Sequence, residues 1–167
     1  MATVVNAEDD PDLAELISIC LAVRGHEVVT VSDAQSALRR CRAERPDLVI
    51  MDTVMPGPLD GLQAVRRIRS DPALAGLPVI VLSAQAAQAD IAAGLRAGAD
   101  VYMTKPFSPR DLAAHVAALL DVRRLERAPR DAGLAGVRGK GADATLPPSA
   151  WTRGRLASDV VRARPGS

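Results

Sequence analysis

The sequence predicts an α/β domain in three layers, a parallel five-stranded sheet lying between two layers of helices. Three observations predict it. Between residues 3 and 125, five short runs rich in β-branched residues alternate with five stretches whose apolar residues recur three and four apart. The connections are short and marked by Gly, Pro, Asp and Ser, which favours right-handed βα crossovers and a sheet covered on both faces. The interior must be aliphatic, because hydrophobic residues make up 48% of the chain and aromatic ones only 2%: Tyr102, Phe107 and Trp151. Cores of Ala, Val, Leu and Ile suit helices packed on a parallel sheet.

The strands are expected at TVVNA (Thr3–Ala7), EVVTV (Glu27–Val31), DLVIM (Asp47–Met51), PVIVLS (Pro78–Ser83) and DVYMT (Asp100–Thr104). The helices are expected at Asp12–Arg24, Ala34–Glu44, Leu62–Arg69, Gln88–Ala97 and Pro109–Leu125. Leu13, Leu16, Ile17, Cys20 and Leu21 give the first helix its apolar face. Pro11 opens that helix after an acidic stretch in which Asp10 reads as the capping residue, and Gly25 closes it. Ser32 or Asp33 caps the second helix, and Pro46 precedes the third strand. Asp71-Pro72 ends the third helix, Gly98 ends the fourth, and Ser108-Pro109 starts the fifth. The domain so defined covers about residues 1–124.

Composition narrows the function classes. The net charge is +1, so no global charge favours nucleic acid or a membrane surface. The N-terminus lacks a basic region, and no apolar run approaches the roughly 20 residues a membrane helix needs. A cytoplasmic protein is expected. Cys20 and Cys41 fall at apolar helical positions without metal-ligand spacing, as two buried free thiols. His26 reads as a turn residue and His115 as a helix residue, with no zinc-binding pattern between them. Residues 125–167 are rich in Gly, Pro, Ala and Arg and show no sustained period. They carry too little apolar surface for a second core, so a disordered tail is expected, with Asp159–Arg164 as a helical turn or docking peptide in the alternative. After Leu125 there are eight basic and four acidic residues, too thin a charge for nucleic-acid binding.

The stretch LVIMD (Leu48–Asp52) sets the functional problem. It reads as fully buried, yet it stops on a carboxylate, which is costly in a core unless paired. In open α/β sheets, ligands sit at the carboxyl ends of the strands. Glu8, Asp9 and Asp10 follow the first strand, Asp52 the third and Lys105 the fifth, while Ser83 ends the fourth. All would then share one edge of the sheet. Clustered carboxylates either take up protons or bind a hard cation, and Mg2+ suits a site with few protein ligands. A lysine balances further negative charge, and a hydroxyl can bond an oxyanion. Together these groups make a phosphoryl site in which a carboxylate serves as nucleophile.

Four motifs extend this reading: EDDP (Glu8–Pro11), MDTVMPG followed by DG (Met51–Gly61), VLSA (Val81–Ala84) and AGADVYMTKPF (Ala97–Phe107). In this order and spacing, over about residues 3–122, the sequence resembles the receiver domain of a two-component response regulator. The resemblance implies a doubly wound (βα)5 flavodoxin-like sandwich with strand order 2-1-3-4-5. It implies Asp52 as phosphoacceptor, Asp9 as direct metal ligand, Glu8 as its partner acting through water, and the backbone carbonyl of Val54 completing the Mg2+ ligands. Ser83 matches the switch hydroxyl, Lys105 the lysine contacting the phosphoryl group, and Tyr102 the mobile aromatic. Lys105-Pro106 matches a bond that is usually cis in the family. Two features depart from the pattern: the loop DTVMPGPLDG is longer by one residue, and Asn6 stands in the first strand where an apolar residue is usual.

The expected function is a stand-alone cytoplasmic response regulator. It would take a phosphoryl group on Asp52 from a sensor histidine kinase or phosphotransfer protein, with Mg2+, and switch a surface made by the fourth helix, fifth strand and fifth helix. Its output would be binding of a downstream protein, without direct DNA binding or membrane contact, as a monomer or weak phosphorylation-dependent dimer. Its product is a signal, so it is not classed as an enzyme. The alternative is a receiver-like interaction module that works without phosphorylation. A haloacid-dehalogenase-type phosphohydrolase needs a second acid two residues after its nucleophile, and Val54 stands there.

Overall fold

The structure is a computed structural model, and it describes residues 1–128. The elements run β1 (Thr3–Ala7), α1 (Pro11–Ala22), β2 (Glu27–Val31), α2 (Ala34–Glu44), β3 (Leu48–Asp52), α3 (Gly61–Ser70), β4 (Val79–Ser83), α4 (Gln88–Ala97), β5 (Val101–Thr104) and α5 (Pro109–Arg127). The five strands form one parallel sheet in the order β2-β1-β3-β4-β5, the doubly wound flavodoxin-like arrangement. The winding reverses between β1 and β3, and the carboxyl ends of those two strands flank the resulting crevice.

Two apolar layers hold the sheet. On one face Val4, Leu48, Ile50 and Ile80 meet Ile17 and Leu21 of α1 and Leu112 and Val116 of α5. On the other, Val5, Val49, Met51 and Val81 meet Ala37 and Cys41 of α2 and Val65 and Ile68 of α3. Every residue of β3 and β4 is buried, because helices cover both faces of these central strands. That double cover is why LVIMD reads as an unbroken apolar run. Burial pushes the Cys41 thiol up to about 12, and both cysteines are free.

Caps mark the helix starts. Asp10 accepts from the N–H groups of Asp12 and Leu13, Asp33 from Ser36, and Ser108 from Asp111. Asp60 and Gln63 form a capping box at α3. Ala87 precedes α4 without any side-chain bond.

Boundaries differ from expectation by one or two residues in α1, β3, α3, β4, β5 and α5, and three of these differences have a visible cause. α1 ends at Ala22, not Arg24, because its last turn tightens into the bonds Arg24 N–H to Leu21 and Gly25 N–H to Ala22 before left-handed Gly25. β3 begins at Leu48 and includes Asp52, while Asp47 turns its carboxylate to the N–H of Thr3. α5 runs past Leu125 to Arg127, and the domain with it past residue 124, since Arg123 donates to the Asp47 carbonyl and Arg127 pairs with its carboxylate. Asn6 is fully buried, and neither its amide nitrogen nor its oxygen has a partner in the protein. Among the described residues, no helix is long and apolar enough to cross a membrane. The expected disordered tail, with its docking peptide, lies outside the described residues from 129 onward.

Candidate functional site

Strand alternation sorts the polar residues at the carboxyl edge of the sheet onto two sides. Asp52, two positions after Ile50, faces the α1 and α5 layer, and Thr53 faces the other.

The charged half lies with Asp52. Lys105 donates from Nζ to Asp52 Oδ2 at 2.7 Å and to Glu8 Oε2 at 2.8 Å. The second oxygen of each carboxylate is also used: Asp52 Oδ1 accepts from the N–H of Val54, and Glu8 Oε1 from that of Asp10, each at 3.1 Å. Carboxylate oxygens of Glu8, Asp9 and Asp52 all lie within 4.8 Å of one another, with Glu8 and Asp52 buried and Asp9 exposed. Burial raises the Glu8 pKa, and the Asp52 charge adds to this, against the lowering effect of its bonds to Lys105 and Asp10. Burial also works against the Lys105 charge, but the Asp52 and Glu8 carboxylates outweigh it and raise its pKa. One ammonium against three carboxylates leaves negative charge over, and hard oxygen donors at this spacing fit a small divalent cation. The Lys105–Pro106 peptide bond is cis.

Gly61 explains how α3 reaches this edge. A Cβ there would collide with the Asp52 carbonyl oxygen and stand 2.8 Å from its carbon, while the Gly61 N–H donates to Thr53. In the sequence Gly61 is legible only as part of a motif.

The uncharged half lies on the opposite side. Thr53 donates from Oγ1 to Ser83 Oγ at 2.8 Å, and the Gln85 N–H donates to the same oxygen at 3.0 Å. Tyr102 donates its hydroxyl to the Gln85 carbonyl at 2.8 Å and is 1% exposed. The aromatic expected to rotate inward is therefore already inside. Sequence reasoning missed Thr53; its position directly after Asp52 was the available signal. Val54, expected to offer a backbone carbonyl, is 66% exposed beside Asp52. The Lys105 main chain joins the two halves, its N–H donating to the Ser83 carbonyl at 2.8 Å.

Comparison with known proteins agrees with this geometry. The family model described as the response regulator receiver domain matches residues 4–117. The chain is 38% identical over 128 residues to the DNA-binding response regulator MtrA of Mycolicibacterium smegmatis, covering 77% of this chain and 54% of that protein. The chain thus spans about half the length of the curated relatives it matches. Among solved structures, the Francisella response regulator 1452 receiver domain superposes with a TM-score of 0.70 at 30% identity, covering 74% of this chain and 99% of that one. The receiver domain of sensor histidine kinase PA1611 from Pseudomonas aeruginosa PAO1 gives 0.67 at 32% identity, covering 72% and 98%. The PA1611 structure has a magnesium ion coordinated in its active site cleft.

Proposed function

The chain belongs to the response regulator receiver domain family, and on that footing we propose that it accepts a phosphoryl group on Asp52 and converts it into a change of protein binding. The donor is a sensor histidine kinase or phosphotransfer protein. A carboxylate oxygen of Asp52 forms the new P–O bond as the donor's P–N bond breaks, and the electron pair leaves with the imidazole, which takes a proton. Lys105 and the Val54 N–H orient the carboxylate beforehand. The ammonium then has phosphoryl oxygens to bond. Glu8, Asp9, Asp52 and the Val54 carbonyl would hold Mg2+, which when bound supplies positive charge for the phosphoryl oxygens.

One observation carries this reading: a buried carboxylate at the end of β3 paired to Lys105 within a cluster of three carboxylates. A protein donor is further supported by α1, which starts directly after the acidic residues and exposes Leu16 and Ile19, with Val23 exposed at its C-cap one turn on.

The output reading places a downstream protein on the face made by α4, β5 and α5, in the cytoplasm, with the chain a monomer or weak phosphorylation-dependent dimer. The modified protein is itself the signal, so the chain acts as acceptor and switch, not as an enzyme. DNA binding is named for MtrA, of which the matched segment covers 54%; the proposal concerns the matched segment alone.

Incubation with Mg2+ and acetyl phosphate should add one phosphoryl mass, absent in Asp52→Asn. Modification persisting in Asp52→Asn would remove Asp52 as the acceptor. An unmodified wild type would leave the phosphorylation-independent interaction module in its place. Ser83→Ala should still accept the group but couple it weakly to partner binding.

A further inference from the structure

Gly94 lies in the interior of α4, where glycine is among the least favourable residues a helix can carry. The backbone does not require it, since the positive-φ glycines are Gly25, Gly57 and Gly98. The space beside it gives the reason. A Cβ at Gly94 would overlap Cδ2 of Tyr102 and stand 2.7 Å from Cε2, so the ring rests directly against the helix backbone. The same ring is anchored at its far end by the hydroxyl bond to the Gln85 carbonyl, and the Gln85 N–H holds Ser83 Oγ. Gly94 and Ala97 are the only fully buried residues of α4, with Ile91 and Leu95 half-buried against the core, and its N-terminus has no side-chain cap.

We infer that Gly94 is a positioning residue for the switch, its missing side chain seating the Tyr102 ring inward on Gln85 before any phosphoryl group arrives. Alanine at 94 excludes this ring position, and the ring's escape is rotation about χ1 to the solvent side of β5. Residue 94 therefore sets how far the face of α4, β5 and α5 is already poised for its partner. The seat itself does not depend on phosphorylation; its consequence for signalling rests on the function proposed above.

Tyr102 is the only tyrosine in the chain, so 3-fluorotyrosine labelling of the full chain gives a single ¹⁹F resonance. With no phosphoryl donor, the wild-type resonance should be shielded from a soluble paramagnetic agent. The unlabelled phenol should titrate above its ordinary range, because burial raises it. In Gly94→Ala the resonance should broaden with the agent, and the titration should fall back toward the ordinary phenol value. Melting temperature supplies a second arm. Gly94→Ala should lower it when Tyr102 is present and raise it in a Tyr102→Ala background, where the helix simply gains alanine. If Gly94→Ala alone did not fold, the double variant should restore folding. A shielded resonance in Gly94→Ala, an equal change in both backgrounds, or no restoration by Tyr102→Ala would overturn the inference. Failure of a phosphoryl donor to modify Asp52 would count against the proposed function and leave these ring measurements standing.

Discussion

Lys105 Nζ stands between two buried carboxylates, 2.7 Å from Asp52 Oδ2 and 2.8 Å from Glu8 Oε2. Among the described residues, no other cation lies within ion-pair distance of either. Lys105→Ala leaves that pair of like charges uncompensated, and loss of a buried partner is strongly destabilising. The expected loss is about 3 kcal/mol in urea unfolding with a chelator present, part of it recovered by Mg2+. In the wild type, Mg2+ should raise the melting temperature, and Asp9→Asn should remove most of the rise. Unchanged stability of Lys105→Ala in chelator would refute this charge balance.

The lifetime of the phosphoryl group should depend on Val54. Its side chain is exposed beside Asp52 and has no group that can orient a water for in-line attack. Val54→Asn is expected to shorten the lifetime several-fold, read as phosphate release after the donor is removed. An unchanged rate would show that Gln85 or the backbone positions the water instead.

Asn6 should be replaceable at a gain. In β1 it stands in register with Thr30 and Ile50, fully buried, with both amide atoms unpaired. Asn6→Val removes that desolvation penalty and adds apolar contact, for an expected gain of about 1 kcal/mol. The urea midpoint should rise with an unchanged m-value. A fall would mean the amide has a partner in solution.

His26 gives the fold a pH dependence. Burial lowers its pKa below 6.5, with the N-terminal amine, Arg124 and Arg24 adding repulsion, and its Nδ1 is buried without a partner. The unfolded chain takes up the proton near the ordinary value while the folded chain resists it. The contribution of His26 is therefore complete above about pH 6.5 and is lost as pH falls through that value toward the folded pKa. His26→Gln should flatten the fall in stability between about pH 7.5 and pH 5.5. An equally steep fall in the variant would assign the dependence to other groups.

Much of this was legible in the sequence because central parallel strands leave a plain trace. LVIMD had to be buried on both faces, and its terminal Asp52 demanded a partner. Lys105 could be nominated because strand ends converge, although no periodicity links positions 53 residues apart. Contacts made across layers were not legible. In the sequence Gly94 is one small residue among several in α4, and only the placed ring of Tyr102 shows what the missing Cβ admits. Thr53 is marked in the sequence only by its place after Asp52, whose side chain points the other way. The end of α5 has a stop signal in Pro129, which disfavours helical backbone at Ala128, but the hold of Asp47 on Arg123 and Arg127, across some 80 residues of sequence, is not legible there.

Lys105 is held at both ends, its main-chain N–H by the Ser83 carbonyl and its ammonium by Asp52. Between these grips lies a methylene stem with several rotatable bonds, which makes the linkage compliant. The ammonium can follow an added phosphoryl group outward while the end of β4 stays where it is. Force at the charged end is then absorbed in torsions of the stem, not delivered to the strand. On the function proposed above, motion of the α4 side would then come through the hydroxyl of Ser83 and not through Lys105, and the chain could hold a modified Asp52 without being obliged to move.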